Sequence, residues 1–181
     1  SGIGAAVARR FAALGAEVIV HYNGNKAGAE QVLRDIEAKG GKARLLAGDV
    51  SRPEIAERLV SEAAEMMGRL DIVINNAGNM FGRTQISKAT DEQYRDVVDL
   101  NIGGVFFACR RAAALMQEQK SGTIINTTSV AARTGGGDGA GLYGAAKGFV
   151  STITRVLAKE LAPCGVRVNA VAPGVIETDF H

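Results

Sequence analysis

Short β-branched runs alternate with longer Ala-rich stretches along the whole 181-residue chain. This alternation constrains the fold more than any other feature of the sequence. The runs predict buried strands, at residues 18–20, 72–74, 123–125 and 166–168. The stretches have helical period, at residues 5–14, 27–39, 53–67, 105–119 and 143–161. Because parallel strands need crossover connections that cover both sheet faces, we expect an α/β fold with a doubly wound parallel sheet in three layers, α/β/α.

Two helix starts carry the sequence pattern of a capping box. One is Ser51 with Glu54, followed early in the helix by Pro53, and the other is Thr90 with Gln93. The glycine-rich stretch 135–141 is predicted to be a loop.

Both ends of the chain predict an incomplete domain. Residues 1–4 pass directly into a helix with no strand before them, and the chain stops just after a strand and the Pro173-Gly174 turn. We therefore expect a single domain over residues 1–181 that lacks its first strand and its C-terminal elements.

Composition and charge exclude several other classes of protein. The 21 basic and 19 acidic residues are spread along the chain without a basic block, so nucleic acid is not an expected partner. The two cysteines and two histidines lack metal-ligand spacing, which predicts no metal site. No apolar run is long enough to cross a bilayer, so we expect a cytoplasmic protein without membrane partners.

Two glycine-containing motifs indicate a nucleotide site. Gly2-x-Gly4 is the second half of a turn in which glycines let the backbone approach a pyrophosphate at a helix N-terminus. An ordinary helix start with glycine explains Gly2-x-Gly4 equally well. Asn75-Asn76-Ala77-Gly78 ends a predicted strand, where ligands bind in doubly wound sheets, although an Asx-turn would also account for the asparagines.

The strongest chemical signal is the spacing of Tyr143 and Lys147. Residues four apart share a helix face, and a nearby ammonium is expected to lower the pKa of a phenol toward working pH. Tyr143 could then act as a general acid or base, whereas in isolation a solvated helix face is the more common use of such a pair. Ser129, which follows a predicted strand, and Asn101, between two predicted helices, favour the catalytic reading. The alternative for Asn101 is a helix cap.

These motifs together resemble the short-chain dehydrogenase/reductase family, whose order and approximate spacing they follow over essentially the whole chain. Within the family the sequence is most similar to 3-oxoacyl-[acyl-carrier-protein] reductases. The resemblance rests on the following segments: Gly2-Ile3-Gly4, Asp49-Val50, Asn75-Asn76-Ala77-Gly78, Asn101, Ser129, Tyr143-x-x-x-Lys147 and Pro173-Gly174-x-Ile176-x-Thr178.

The resemblance implies a Rossmann-like domain and specific residue roles. Tyr143 would exchange a proton with the substrate oxygen, Ser129 would hold that oxygen, and Lys147 would lower the pKa of Tyr143 and bind the nicotinamide ribose. Asn101 would hold a water molecule of the proton relay. The implied cofactor-binding residues are Gly2, Ile3, Gly4, Tyr22, Asn23, Asp49, Val50, Asn76, Ala77, Gly78, Tyr143, Lys147, Pro173, Gly174, Ile176 and Thr178.

The second strand predicts which nicotinamide cofactor is preferred. Enzymes that prefer NAD tend to carry a carboxylate at its end, whereas here it ends in Tyr22-Asn23 and is followed by Asn25-Lys26. This neutral to basic edge favours NADP(H). Ser1 favours NAD(H), because NADP-preferring relatives often have arginine at that position.

The expected activity is reduction of a 3-oxoacyl thioester or a similar small ketone, or oxidation of the corresponding alcohol. The alternatives are a polyol or sugar dehydrogenase and, from another class, a catalytically silent cofactor-sensing regulator. The resemblance also implies a homodimer or homotetramer built through helices 105–119 and 143–161. Tyr143 lies 14 positions after Ser129, one more than is usual in the family, and we expect a flexible 135–141 loop to absorb the extra residue.

Overall fold

The computed structural model describes residues 2–177 of the chain. Helices and strands alternate within these residues, with short 3-10 turns at Ile86–Lys88 and Ala162–Cys164. The elements are α1 (Gly2–Ala13), β1 (Glu17–Tyr22), α2 (Lys26–Glu37), β2 (Lys42–Ala47), α3 (Pro53–Met67), β3 (Ile72–Asn75), α4 (Asp91–Val98), α5 (Gly104–Gln119), β4 (Gly122–Thr127), α6 (Ala131–Thr134), α7 (Gly141–Leu161) and β5 (Val166–Val171). The predicted α/β class is confirmed.

All four predicted strands are present, and the structure adds β2, which the sequence analysis missed. β2 reads Lys-Ala-Arg-Leu-Leu-Ala, and Lys42 and Arg44 interrupt its apolar residues and face solvent. Arg44 pairs with Glu17 on β1 at 3.0 Å. The strand forms because backbone pairing with β1, over six residues in parallel register, overrides a weak local pattern.

One predicted cap is confirmed and the other is wrong. Thr90 Oγ1 accepts a hydrogen bond from the Gln93 N–H at 3.1 Å, as an N-cap residue does. Ser51 does not cap α3, because its hydroxyl donates to Asp49 Oδ1 at 2.7 Å and Arg52 is the residue before the helix.

The strands form two parallel groups, β1–β2 and β3–β4–β5, and no backbone ladder joins them within residues 2–177. β1 and β3 are each an edge strand of their group, and Ile72 at the start of β3 is 42% exposed.

Two apolar cores hold the helices on the strands, as a doubly wound fold requires. α1 and α2 pack over β1 and β2 through a small core that includes Ala8 and Ile36. α3, α5 and α7 pack over the other group through a larger core that includes Met116, Ile124 and Val150, all three fully buried. Burial of each such side chain contributes roughly 1.5–3 kcal/mol.

Parallel pairing places the carboxyl ends of the strands side by side within each group, β1 with β2 and β3 with β4 and β5. Tyr22, Ala47, Asn75, Thr127 and Val171 are the last residues of these strands. Ligands bind outside the carboxyl ends of the strands in doubly wound sheets, and the candidate site residues follow these ends. None of the helices described for residues 2–177 is long and apolar enough to span a membrane.

Candidate active site

Tyr143 and Lys147 lie in the first turns of α7 and face the interior. Tyr143 is 9% exposed and Lys147 only 2%. The Lys147 Nζ lies 5.6 Å from the centroid of the Tyr143 ring. The alternative of a solvated helix face is therefore wrong for this pair.

Strand β4 and the residue that follows it bond to Lys147 at its side-chain ammonium and at its main-chain carbonyl. Lys147 Nζ donates to the Thr127 carbonyl at 3.0 Å, and the Lys147 carbonyl accepts from Thr128 Oγ1 at 2.8 Å. Burial lowers the pKa of Lys147 from 10.5 to about 8. The side chain therefore remains predominantly an ammonium at neutral pH, in a position that is costly to occupy.

The pKa of Tyr143 shifts in the direction opposite to the one expected from its lysine neighbour. Burial raises the pKa of the phenol, and a hydrogen bond with Ser129 opposes that shift without reversing it. The physical reason is that desolvation of a phenolate outweighs the partners that the described chain supplies. Ser129 Oγ also accepts from the Ala131 N–H at 3.1 Å, which fixes the serine beside Tyr143.

Asn101 is not a helix cap. It lies in a π-helical turn, Asp99–Gly103, through which α4 and α5 continue as one helical path. Its side chain is fully buried, and its Nδ2 donates to the carbonyls of Asn79 at 2.8 Å and Val97 at 2.9 Å. Asn101 Oδ1 has no hydrogen-bond partner among the described residues. Single π turns often occur at functional sites, and a buried acceptor without a partner is uncommon.

Gly78 lies against the side chains of both Asn101 and Lys147, and we call its backbone the glycine floor of the site. A Cβ at Gly78 would lie 2.8 Å from Asn101 Oδ1 and 3.1 Å from Lys147 Nζ, so glycine is needed here. A Cβ at Gly4, in the first turn of α1, would lie 2.9 Å from Asn76 Nδ2. Glycine backbone, an acceptor without a partner and a helix N-terminus therefore meet at one place, and this combination fits a pyrophosphate and a nicotinamide ribose.

Asn75, which ends β3, and Asn76 after it bond through their side chains to β4 rather than forming a local Asx-turn. Asn75 Nδ2 donates to Asn126 Oδ1 at 2.8 Å, and Asn76 Oδ1 accepts from Thr127 Oγ1 at 3.4 Å. Both contacts cross to β4. They join the carboxyl ends of the two strands that carry Gly78 and Ser129.

The remaining cofactor candidates lie at and after the carboxyl ends of β1 and β2. At the end of β1, the Tyr22 carbonyl accepts from the Gly48 N–H at 3.0 Å, and Asn23 follows Tyr22 in the chain. Asp49 Oδ1 accepts from both the Ser51 N–H and the Ser51 hydroxyl, which occupies one of its carboxylate oxygens. The Val50 carbonyl lies 3.1 Å from the position that a Cβ at Gly104 would take, at the start of α5.

The segment after β5 reaches the serine side of the site. The Pro173 carbonyl accepts from the N–H of Val130, the residue after Ser129, at 3.1 Å. Gly174 and Ile176 are exposed. Ile3 lies in the first turn of α1. The predicted cofactor contact at Thr178 lies outside the described residues.

The glycine-rich stretch predicted to be a loop is one up to Ala140, after which α7 begins, and it packs against a neighbouring loop. The Gly139 carbonyl accepts from the Thr84 N–H at 2.9 Å, and a Cβ on Gly139 would lie 2.8 Å from that nitrogen. Gly135, Gly136 and Gly139 have left-handed backbone angles, with φ between 70° and 78°. Together with Thr84 and Ile86 the loop borders a cavity of about 370 Å³ at the start of α7.

Two features of the site were missed at the sequence level. The Asn79 carbonyl anchors Asn101, and Phe81 adopts a left-handed φ of 54°, a strained conformation for a residue with a side chain. Gln93 Nε2 donates to the Phe81 carbonyl at 3.2 Å. No sequence pattern signals these contacts, apart from the Gln93 side chain being the second member of a predicted capping box.

This doubly wound sheet, with a buried Tyr–Lys pair, a serine and a glycine floor at its carboxyl edge, defines the class of NAD(P)-dependent oxidoreductases. A family model described as short chain dehydrogenase matches residues 1–181. The chain belongs to the short-chain dehydrogenase/reductase family, and it is an NAD(P)-dependent enzyme of that family.

Relatives in sequence and structure agree with this assignment. The chain is 41% identical to a 3-oxoacyl-[acyl-carrier-protein] reductase of Synechocystis sp., over 99% of this chain and 72% of that protein. It is 40% identical to 3beta-hydroxysteroid dehydrogenase 1 of Eggerthella lenta, over 99% of this chain and 69% of that protein. The crystal structure of NADH-dependent reductase A1-R' complexed with NAD superimposes with a TM-score of 0.91 at 33% identity, covering 98% of this chain and 76% of that one.

Proposed function

We propose that this chain transfers a hydride between NADP(H) and a carbonyl or secondary alcohol, with a 3-oxoacyl thioester or a similar small ketone as substrate. The observation that carries the proposal is the buried Tyr143 phenol, which is hydrogen-bonded to Ser129 and lies on the same helix face as the Lys147 ammonium. A proton donor, an oxygen-holding hydroxyl and a buried cation are the groups that carbonyl reduction requires of the protein.

Tyr143 is the proposed proton donor, and Ser129 orients the substrate oxygen. The raised pKa of Tyr143 keeps the phenol protonated at neutral pH, which is the form needed to protonate an alkoxide as it develops. The Ser129 hydroxyl donates a hydrogen bond to the same oxygen. When bound, the nicotinamide supplies the hydride.

Lys147 and Asn101 are proposed to assist this proton transfer without contacting the substrate oxygen. The Lys147 ammonium stabilises negative charge that develops on Tyr143, and it is placed to donate to ribose hydroxyls above Gly78. The unpartnered Asn101 Oδ1 is suited to accept a hydrogen bond from a relay water that returns a proton to the site.

The cofactor would lie along the carboxyl edge of the sheet. The α1 start with Gly2, Ile3 and Gly4 would hold the pyrophosphate, and 76–78 would line its path. Tyr22 and Asn23 would contact the adenosine ribose, and Asp49 and Val50 would flank the adenine. Pro173, Gly174, Ile176 and Thr178 would meet the nicotinamide end.

The preference for NADP(H) is supported by the absence of acidic side chains at the end of β1 and in the first turn of α2. Asn25 is occupied as the N-cap of α2, where its Oδ1 accepts from the Gly28 N–H at 2.8 Å. Lys26 contacts Glu30 only at 3.6 Å on the surface, so its ammonium can turn toward a 2′-phosphate. The structural neighbour A1-R' is NADH-dependent, so the ratio of kcat/KM for NADPH to that for NADH is the measurement that tests the preference.

Asn23→Asp is expected to reverse the preference, because a carboxylate there accepts hydrogen bonds from the ribose 2′-hydroxyl and repels a 2′-phosphate. We expect the ratio of kcat/KM for NADPH to that for NADH to fall on the order of 100-fold, about 3 kcal/mol. Gln117→Glu adds the same charge on exposed α5, near its C-terminal end, and is expected to leave the ratio unchanged. A wild-type enzyme that already prefers NADH would contradict the preference.

The substrate class is tested by following nicotinamide absorbance with an acetoacetyl thioester and a panel of ketones, sugars and polyols. The acyl reductase relative supports turnover of the thioester. A second candidate, a sugar or polyol dehydrogenase, is favoured by the structural neighbour described as responsible for alginate metabolism. Turnover confined to sugars or polyols selects that candidate. Cofactor binding with no turnover of any compound would point to the regulator.

We also propose that the full-length protein is a homodimer or homotetramer built through α5 and α7. Phe106, Phe149 and Val156 are apolar and partly exposed on these helices, whereas Val150 and Leu161 are part of the core. Light scattering is expected to give at least twice the mass of one chain. A monomeric mass at micromolar concentration would rule out this assembly.

A further inference from the structure

A hydrogen-bonded network of four side chains lies beneath the active site, formed by Asn75, Cys109, Asn126 and Thr154. We call it the Asn126 network. Asn126 Oδ1 accepts from Asn75 Nδ2 at 2.8 Å and from Cys109 Sγ at 3.5 Å. Asn126 Nδ2 donates to Thr154 Oγ1 at 3.0 Å. Asn126, Cys109 and Thr154 are at most 5% exposed, so these groups have lost their water and depend on one another.

The direction of each hydrogen bond around Asn126 is fixed. Thr154 Oγ1 donates its only proton to the Val150 carbonyl at 2.7 Å, so it can only accept from Asn126. The amide nitrogen of Asn126 must therefore face Thr154, and its oxygen must face Asn75. An amide at position 126 and a hydroxyl at position 154 are both required for this pattern.

The four members come from four elements, and each element also carries part of the active site. Asn75 ends β3, which leads to Gly78, and Asn126 lies in β4, which leads to Ser129. Cys109 lies on α5, which follows the π turn that contains Asn101, and Thr154 lies on α7 with Lys147. A shift of any one element would move its part of the site. The Asn126 network is thus placed to fix the relative positions of all four parts.

The contact between β4 and α7 is the most direct of these links. Three consecutive residues bond to α7, the last two of β4 and Thr128 after it: Asn126 to Thr154, Thr127 to the Lys147 ammonium, and Thr128 to the Lys147 carbonyl. Thr154 follows Lys147 by seven residues, two helical turns, and therefore lies on the same face of α7. Asn126 and Thr154 hold the distal part of the face that presents Lys147.

We propose that Asn126 and Thr154 are positioning residues that fix α7 against β4, so that Tyr143 and Lys147 meet Ser129 in the reactive geometry. This inference rests on the roles proposed above for Tyr143 and Lys147. Neither Asn126 nor Thr154 touches the reacting groups. Their effect on turnover passes through the placement of α7.

The test is a graded series at position 154 in the full-length protein. Thr154→Val keeps the shape and removes the hydroxyl, whereas Thr154→Ser and Thr154→Cys both lose the methyl group and differ in hydrogen-bonding strength. Misplacement of reacting groups by 1 Å can cost on the order of 100-fold, so we expect about a tenfold lower kcat in Thr154→Val. Thr154→Ser is expected to restore most of kcat, and Thr154→Cys to give an intermediate value.

The readouts separate positioning from stability. Values of kcat are normalised to the stoichiometry of cofactor binding, which counts folded sites, and are measured well below the midpoint of thermal unfolding. The KM for the ketone and the Kd for the cofactor are expected to stay near wild type. Thr152→Val is the matched control, because Thr152 is exposed on the same helix and its hydroxyl accepts a hydrogen bond from Arg155 and no other side chain within residues 2–177.

Two outcomes would overturn the inference. One is wild-type kcat per folded site in Thr154→Val, and the other is a kcat that follows the unfolding midpoint rather than the hydrogen-bonding strength across the series. Tyr143→Phe is measured in parallel. If that variant is inactive while Thr154→Val is normal, only the positioning role fails; if it is active, the proposed function fails as well.

Discussion

Tyr143→Phe is expected to lower kcat by on the order of 10²- to 10⁴-fold while cofactor binding stays near wild type. The phenyl ring keeps the packing of the buried side chain, and the hydroxyl is lost together with its hydrogen bond with Ser129. Because Ser129 keeps its contact with the Ala131 N–H, we expect its side chain to remain in place. The loss therefore measures the proton donor itself.

Single-turnover and steady-state rates, together with fluorescence titration of the reduced cofactor, separate the chemical step from binding. Tyr94→Phe is the control, since Tyr94 is 55% exposed on α4 and outside the site. We expect Tyr94→Phe to behave as wild type. A Tyr143→Phe enzyme that retains wild-type kcat would show that another group donates the proton.

The fold and the centre of the site could be predicted because their patterns are local. Residues 72–74 and 123–125 are β-branched without interruption, and Tyr143 and Lys147 lie four apart in a strongly helical stretch. β2 could not be predicted in the same way. Lys42 and Arg44 face solvent on an edge strand, so the apolar signal is too weak without its partner β1.

Other features depend on contacts between residues that are distant in sequence. The π turn around Asn101 differs from an α-helix by one extra residue, and nothing in the local pattern distinguishes the two. The pKa of Tyr143 depends on burial, which the spacing to Lys147 does not show, and its direction was therefore predicted wrongly. The packing of Gly139 against Thr84 likewise depends on a second loop.

Lys147→Met is expected to have opposite effects on activity and on stability. Loss of the buried ammonium removes the charge that stabilises a developing tyrosinate and a donor for the ribose, so kcat/KM should fall on the order of 100-fold or more. Burial of the same ammonium opposes folding, because it lowers the pKa of Lys147 from 10.5 to about 8. Met has similar length and needs no hydrogen-bond partner.

The pH dependence of wild-type stability has a definite sign. Below about pH 8 the lysine is protonated in both the folded and unfolded chains, and the folded chain bears the full cost of burial. Between pH 8 and pH 10.5 only the unfolded chain retains the proton, so the free energy of unfolding rises with pH. The raised pKa of Tyr143 acts oppositely above pH 10, where the unfolded chain loses the phenol proton first. Burial also raises the pKa of the Cys109 thiol from 9.0 to about 12, so this thiol lowers the free energy of unfolding with pH above about pH 9. The Lys147 contribution is therefore isolated between pH 8 and pH 9.

At neutral pH the cost of burying the Lys147 ammonium corresponds to about 3 kcal/mol. The variant also loses the hydrogen bond to Thr127, which offsets about 1 kcal/mol of that gain. We therefore expect Lys147→Met to be about 2 kcal/mol more stable than wild type. Urea unfolding across this pH range should show a rise for wild type that is absent in the variant. Lys159→Met, at an exposed position on α7, should show the same rise of the free energy of unfolding with pH as wild type. Suppose that Lys147→Met is less stable than wild type at neutral pH and that its free energy of unfolding changes with pH as in wild type. The ammonium would then stabilise the fold. An inactive variant that is more stable would instead show that the site retains its cation at the expense of stability, as expected when a buried charge serves catalysis.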